Sequence, residues 1–190
     1  SGYPFLHWQG YRTQQTVTFS GFTTPVTYGA SPFSLSATAS SGGSIVFSSS
    51  NTAVATISGN TATVVGAGTA VIKARQAGNS TFLPDSALRT LTVNIRPVSI
   101  TGVQASNKVY DGTTGATLSG GTLNDVVTGD AVAIVTGTGV FSDKNVGTGK
   151  TVTASGYSLS GAKASNYSLS AQPSGITASI TSRTATISGV

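Results

Sequence analysis

From Thr16 onward, apolar and polar side chains alternate with a period of two, as they must in a strand with one face buried and the other in water. The alternation is clearest over residues 16–22, 33–37, 53–57, 69–75 and 91–95. Between these stretches stand clusters of turn-forming residues, at 29–32, 41–43, 58–60, 66–68 and 78–80. The second half predicts further strands over 98–103, 108–110, 131–134, 139–141, 151–154, 158–160, 167–171 and 176–180. Many short strands about 8–12 residues apart, with no helical stretch between them, predict an all-β fold of antiparallel β-sandwiches.

Arg96-Pro97 divides the two halves, because proline lacks the N–H that a ladder needs and stiffens a short linker. A linker this short predicts two tandem domains in an extended arrangement. Residues 96–103 and 183–190 share Arg, Ile, Gly and Val at matching places, offset by 87 residues (183 − 96). That self-similarity predicts a new copy of the second module beginning at 183, with chance likeness between Thr-rich strands as the competing account. The expected organisation is a remnant of an upstream repeat over 1–13, domains over 14–96 and 97–182, and the start of the next repeat over 183–190.

Composition narrows this picture. A chain of 190 residues holds two domains of roughly 100 residues each. Hydrophobic residues make up 38% and charged residues only 8%, against about 25% charged in an average soluble protein. Ser, Thr, Gly and Asn therefore carry the wetted surface, and Thr suits a pleated one. Glu, Met and Cys are absent and all five acids are Asp, so helix formers are scarce and no disulfide framework exists. A disulfide-free chain of secreted type points to a bacterial source. The net charge of +5 raises nucleic acid as a partner, but the ten basic residues are scattered singly rather than clustered with aromatics, which argues against it. No apolar run approaches the ~18 residues that span a bilayer, so no membrane insertion is expected in this segment. No export signal opens the sequence at Ser1, which places any such signal outside it.

Several motifs in order carry a family resemblance. Lys108-Val-Tyr-Asp-Gly-Thr113, Gly129-Asp130, Phe141-Ser-Asp-Lys-Asn-Val-Gly-Thr-Gly149, Asn166-Tyr-Ser-Leu169 and Gly175-Ile-Thr-Ala-Ser-Ile180 resemble the bacterial YDG repeat over about 98–182. Tyr28-Gly-Ala30, Phe47-Ser-Ser-Ser-Asn51, Ala53-Val-Ala-Thr-Ile57, Gly66-Ala-Gly-Thr-Ala70 and Leu91-Thr-Val-Asn94 resemble a bacterial Ig-like, MBG-type module over about 14–94. Residues 2–9 are similar to the tail of a GLUG-type repeat. These resemblances imply immunoglobulin-like domains of large adhesin-like proteins, secreted or held at the bacterial surface in association with the outer membrane.

Candidate chemistry is sparse. The single histidine, His7, sits beside Trp8, Phe5 and Tyr3, a packing environment, and no nucleophile-elbow sequence is present. Gly66-Ala-Gly68 and Gly137-Thr-Gly139 lack the lysine and helix start of a phosphate loop. With the five Asp dispersed, the chain is expected not to be an enzyme and to need no cofactor. Asp125 and Asp130, with Asn124, are the best candidates for Ca²⁺, although the spacing is that of no known calcium loop and such residues also close turns. Asn79-Ser-Thr81 and Asn166-Tyr-Ser168 fit a glycosylation pattern but read better as turns. An intramolecular Lys–Asn isopeptide, as in other bacterial Ig-like modules, would join Lys108 to Asn166 with Asp111 or Asp143 as the acid. The competing account leaves Lys108 in solvent and Asp111-Gly112 in a turn. Phe19, Phe22, Phe33, Phe47 and Phe141 fall at core positions, and Tyr110, Tyr157 and Tyr167 suit sandwich edges that satisfy a hydroxyl.

The expected function is therefore that of non-catalytic spacer modules, monomeric, whose partners are neighbouring modules of the same chain. The alternative is an adhesive module that binds a glycan, a host-surface protein or ice.

Overall fold

The computed structural model describes residues 11–189, and the chain divides into two compact units between Ile95 and Arg96. His7 and the 2–9 segment lie outside the described residues. Both units are all-β, with one short 3-10 turn and no α-helix among the described residues.

The first unit holds β1 (Val17–Phe19), β2 (Val26–Thr27), β3 (Phe33–Ser34), β4 (Ala37–Ala39), β5 (Val46–Ser49), β6 (Ala55–Ser58), β7 (Thr61–Val64), β8 (Gly68–Gln76) and β9 (Asp85–Asn94). They form sheets in the orders β2-β9-β8-β5 and β3-β7-β6, with β1 paired to β4. Alternation works as expected in β8, where Ala70, Ile72 and Ala74 are buried and Thr69, Val71, Lys73 and Arg75 are exposed. Also buried in this unit are Val17 and Phe19 of β1, Leu35, Val54, Ala55 and Ala62, with Leu91 and Val93 of β9. Phe19 is buried, and Phe22 and Phe47 stand tilted against it with centroids 5.7 and 5.5 Å away, while Phe33 follows at 5.6 Å from Phe22. The segment entering β1 is tied down by buried amides: Gln15 Nε2 donates to Gln76 Oε1 at 2.5 Å and to the Leu83 carbonyl at 2.6 Å. Each buried polar atom here is matched, as it must be away from water. Gly43 lies against this pair, since a Cβ there would stand 2.3 Å from Gln76 Nε2.

The second unit holds β10 (Arg96–Ala105), β11 (Lys108–Val109), β12 (Gly115–Ala116), β13 (Leu118–Asn124), β14 (Ala133–Val135), β15 (Thr138–Phe141), β16 (Gly147–Ser155), β17 (Ser158–Ser160), β18 (Tyr167–Leu169) and β19 (Ile176–Thr181), with the 3-10 turn over Ala164–Asn166. Its sheets run β11-β19-β16-β15-β12 and β13-β10-β18, with β14 paired to β17. One core joins them: Phe141, Val152, Ala154, Ile176, Ala178 and Ile180 of the larger sheet meet Ile100 of β10, with Leu118 and Leu123 of β13 packed against them.

Three expectations are corrected here. The pairing is not purely antiparallel, because β2 runs parallel to β9, β10 to β18 and β11 to β19. Each is a ladder of two or three rungs in which an early strand meets a late one, and no hairpin could bring them together. Pro97 does not end pairing either: it lies within β10, opposite Ser168. The Val98 carbonyl accepts from Ser170 N, so its neighbour Pro97 turns its nitrogen to the other side, where the β13 ladder begins only at Ser99. No N–H is missed there. The strand β13 was not predicted, because Leu118 and Leu123 both reach the core although five residues apart. Gly120 and Gly121, at φ 72° and 107°, shift the phase between them.

Candidate functional site

The motif from Lys108 to Thr113 folds into a clasp at the start of the larger sheet. The strand β11 docks on β19, and Tyr110 N donates to the Thr181 carbonyl at 2.8 Å. The chain then turns through Gly112, at φ 79°, which brings three donors onto one carboxylate oxygen. Asp111 Oδ1 accepts from Thr113 N, Thr113 Oγ1 and Lys108 Nζ, each at 2.9 Å. Lys108 Nζ also donates to the Thr113 carbonyl at 2.8 Å and lies 5.6 Å from the centroid of the Phe141 ring. The ring's negative face and two sets of oxygens thus surround one ammonium.

The second motif closes in the same way. Asp143, two residues beyond Phe141, accepts from Asn145 N at 2.8 Å and from Lys150 Nζ at 2.6 Å. Lys150 reaches it from the bulge that β16 makes between Gly147 and Lys150. Thus Lys108 joins Asp111, Lys150 joins Asp143, and the two Asp proposed as alternative acids belong to separate ion pairs.

The loop after β13 is organised around a tyrosine. Asp125 takes φ 67°, and its carbonyl accepts from Arg96 Nε at 2.7 Å. The Tyr167 hydroxyl donates to Asp130 Oδ2 and accepts from Val127 N at 3.0 Å. Burial, then the Asp130 carboxylate, pushes this phenol above its usual range. Asp130 is thereby engaged by a hydroxyl donor, and no group of three or more His, Cys, Asp or Glu side chains gathers among the described residues. Tyr167 thus satisfies its hydroxyl within the unit. Tyr157 does not: its ring lies in the core, its buried hydroxyl has no protein partner, and its backbone is clamped at both N and O by the Gln172 amide.

Asn166 is buried on the 3-10 turn that leads into β18. An amide between Lys108 and Asn166 would draw Nζ away from Asp111, Thr113 and the Phe141 ring. Intact-mass spectrometry of the purified chain is therefore expected to return the full sequence mass; a deficit of one ammonia would show the crosslink instead.

The carboxylates of these clasps titrate low. The Thr113 N–H, then the Lys108 ammonium and the Thr113 hydroxyl, hold Asp111 at about 2, against a usual 3.8. Lys150, then the Asn145 N–H, lowers Asp143 as well. A carboxylate depressed in the fold stabilises it above the unfolded-chain value and stops doing so as pH falls through the folded one. The melting temperature of the second unit is thus expected to be level from pH 7 to about pH 5 and to fall between about pH 4 and pH 2. The Asp111→Asn chain starts lower and falls less steeply; an unchanged acid profile in that variant would refute the assignment.

Sequence patterns did not reveal the pairing of Asp143 with Lys150, the seat of Lys108 over Phe141, or the Gln15–Gln76 network. The order Phe141, Asp143, Lys150 within one glycine-rich stretch was the signal available for the first of these.

Among known proteins, the YDG domain family matches residues 94–175, so a YDG domain is found there, spanning β10 through β18. The chain matches no curated protein and no solved structure. The matched range ends at Gly175, whereas the second unit continues through β19, the strand that β11 and β16 flank.

Proposed function

We propose that the two units are immunoglobulin-like β-sandwich modules, the first of MBG type. In this reading they form a non-catalytic spacer in a large secreted or surface-held bacterial adhesin-like protein. The observation that carries this is the parallel seam between an early and the last strand of each unit. The ladder β2–β9 pairs Val26 with Val93 and Thr27 with Asn94, and β11–β19 pairs Lys108 with Ile180 and Val109 with Thr181. Tension applied to the two ends of a unit pulls parallel strands in opposite directions, so their hydrogen bonds are loaded together rather than opened one at a time. Each contributes only about 1 kcal/mol net, and simultaneous loading is what makes a short ladder resist. The family-marking side chains support the same reading, since Lys108, Asp111, Thr113, Phe141, Asp143 and Lys150 all contact one another or their own turns within the unit.

Single-molecule stretching tests it. Two discrete rupture events are expected, each releasing about 70 residues and lengthening the chain by about 250 Å. Gradual extension at low force, without discrete events, would overturn the spacer reading.

A further inference from the structure

Lys108 and Lys150 each face an Asp, whereas Lys73 and Arg75 of β8 form no ion pair among the described residues. The reason is their place on the sheet. They are the outward residues of β8, two apart and hence about 7 Å from each other on one face. Their cross-strand neighbours are not acids. Arg75 stands between Val46 of β5 and Ser86 of β9, and Lys73 between Ser48 and Leu88. The one acid on these strands, Asp85, pairs with the inward-facing Gln76 and accepts from Val17 N.

The same face exposes large aliphatic groups. Val46 is 67% exposed, Leu88 61% and Val71 37%. Each cation thus has a wetted valine or leucine directly across the ladder. An ordinary solvated face would place Thr, Ser or Asp there, since leaving Leu88 in water forgoes the stabilisation its burial would bring.

We propose that the outer face of β5, β8 and β9 is a docking surface for an anionic lipid bilayer. Lys73 and Arg75 meet negatively charged headgroups, and Val46, Leu88 and Val71 enter the boundary with the acyl chains beneath. The charge chooses the sign of the partner, and the aliphatic groups choose its kind. An acidic polysaccharide would answer the cations but offers no apolar layer, and this face carries no aromatic ring to stack on a sugar. Docking of this kind neither spans nor inserts a strand, and it is independent of the spacer reading, because a spacer module can still rest one face on a membrane.

Sedimentation of the full chain with vesicles tests the proposal. At low salt it is expected to bind vesicles of phosphatidylserine and phosphatidylcholine, to ignore those of phosphatidylcholine alone, and to release as salt rises. Lys73→Gln and Arg75→Gln each weaken binding about fivefold, the effect of about 1 kcal/mol per cation near an anionic surface. Leu88→Ser weakens it without changing the salt dependence. Lys144→Gln, an exposed cation of the second unit, leaves it unchanged. Equal binding to neutral vesicles, an equal loss with Lys144→Gln, no binding to either vesicle, or binding to dextran sulfate but not to vesicles would each overturn it. All four substitutions lie at exposed positions, so circular dichroism is expected to show the parent fold throughout.

Discussion

Gly137→Ala unfolds the second unit under conditions in which Gly115→Ala leaves it folded. The difference lies in what a Cβ would meet. At Gly137 it would stand 1.9 Å from the Ser155 carbonyl oxygen and 2.7 Å from Tyr157 N. Both are backbone atoms, where β16 ends, and cannot swing aside like the tip of a side chain. Room is made only by parting β15 from β16 at their Thr138–Ser155 rung, beside the buried Tyr157. Overpacking of a filled interior costs about 1–3 kcal/mol, and a backbone collision falls at or above the top of that range. Against a total stability of about 5–15 kcal/mol for a domain, such a loss is severe. At Gly115 an added Cβ meets nothing within 4 Å, so that variant stays within about 0.5 kcal/mol of the parent. Urea unfolding followed by amide resonances of the second unit measures both, and similar midpoints for the two would show that the close approach at Gly137 does not matter.

The second large effect is at Phe141. Its ring is 2% exposed and lies amid Val152, Ile176 and Ile180, so Phe141→Ala is expected to cost about 3–5 kcal/mol. Phe141→Leu separates its two roles. Leucine retains most of the apolar volume and costs about 1–1.5 kcal/mol, but it offers no π face to Lys108. Combined with Lys108→Met in a double-mutant cycle, it is expected to show a coupling of about 0.5–1 kcal/mol. A coupling of zero would mean that the ammonium merely passes over the ring.

Much of the strand pattern was legible because burial enforces alternation. The stretch 69–75 became β8, Gly68–Gln76, with the expected residues inside. Reading failed where the alternation was not honoured. The strand β9 begins at Asp85, not at 91, because its alternation lapses over 88–90: Leu88, Arg89 and Thr90 are all exposed, although Arg89 shares the side of the strand that carries buried Leu91. Arg89 is accommodated by donating to the Phe19 carbonyl at 2.9 Å with its guanidinium 5.9 Å from that ring's centroid. The exposed Leu88 that helped hide the strand is also the aliphatic group beside Lys73. In the second unit, glycines at positive φ hid β13, since no pattern of side chains marks a phase shift made by residues that have none. The site was legible as motifs but not as contacts. Lys108 and Asp111 meet because a turn folds residues three apart onto each other, which spacing suggests, whereas Asp143 and Lys150 meet through a bulge that no spacing announces.

The position of β19 bears on how such a module comes into being. The last strand to be made lies between β11 and β16, so until it arrives the larger sheet is two separate pieces with raw edges. A chain emerging from a ribosome or a secretion pore cannot close the module early; completion waits for the final six residues, Ile176–Thr181. A protein ending at residue 175, where the family match stops, would lack Ile176, Ala178 and Ile180 and would present the exposed strand edges that invite pairing with other chains. The module thus acts as its own checkpoint: its larger sheet is whole only in a chain whose last strand has been delivered.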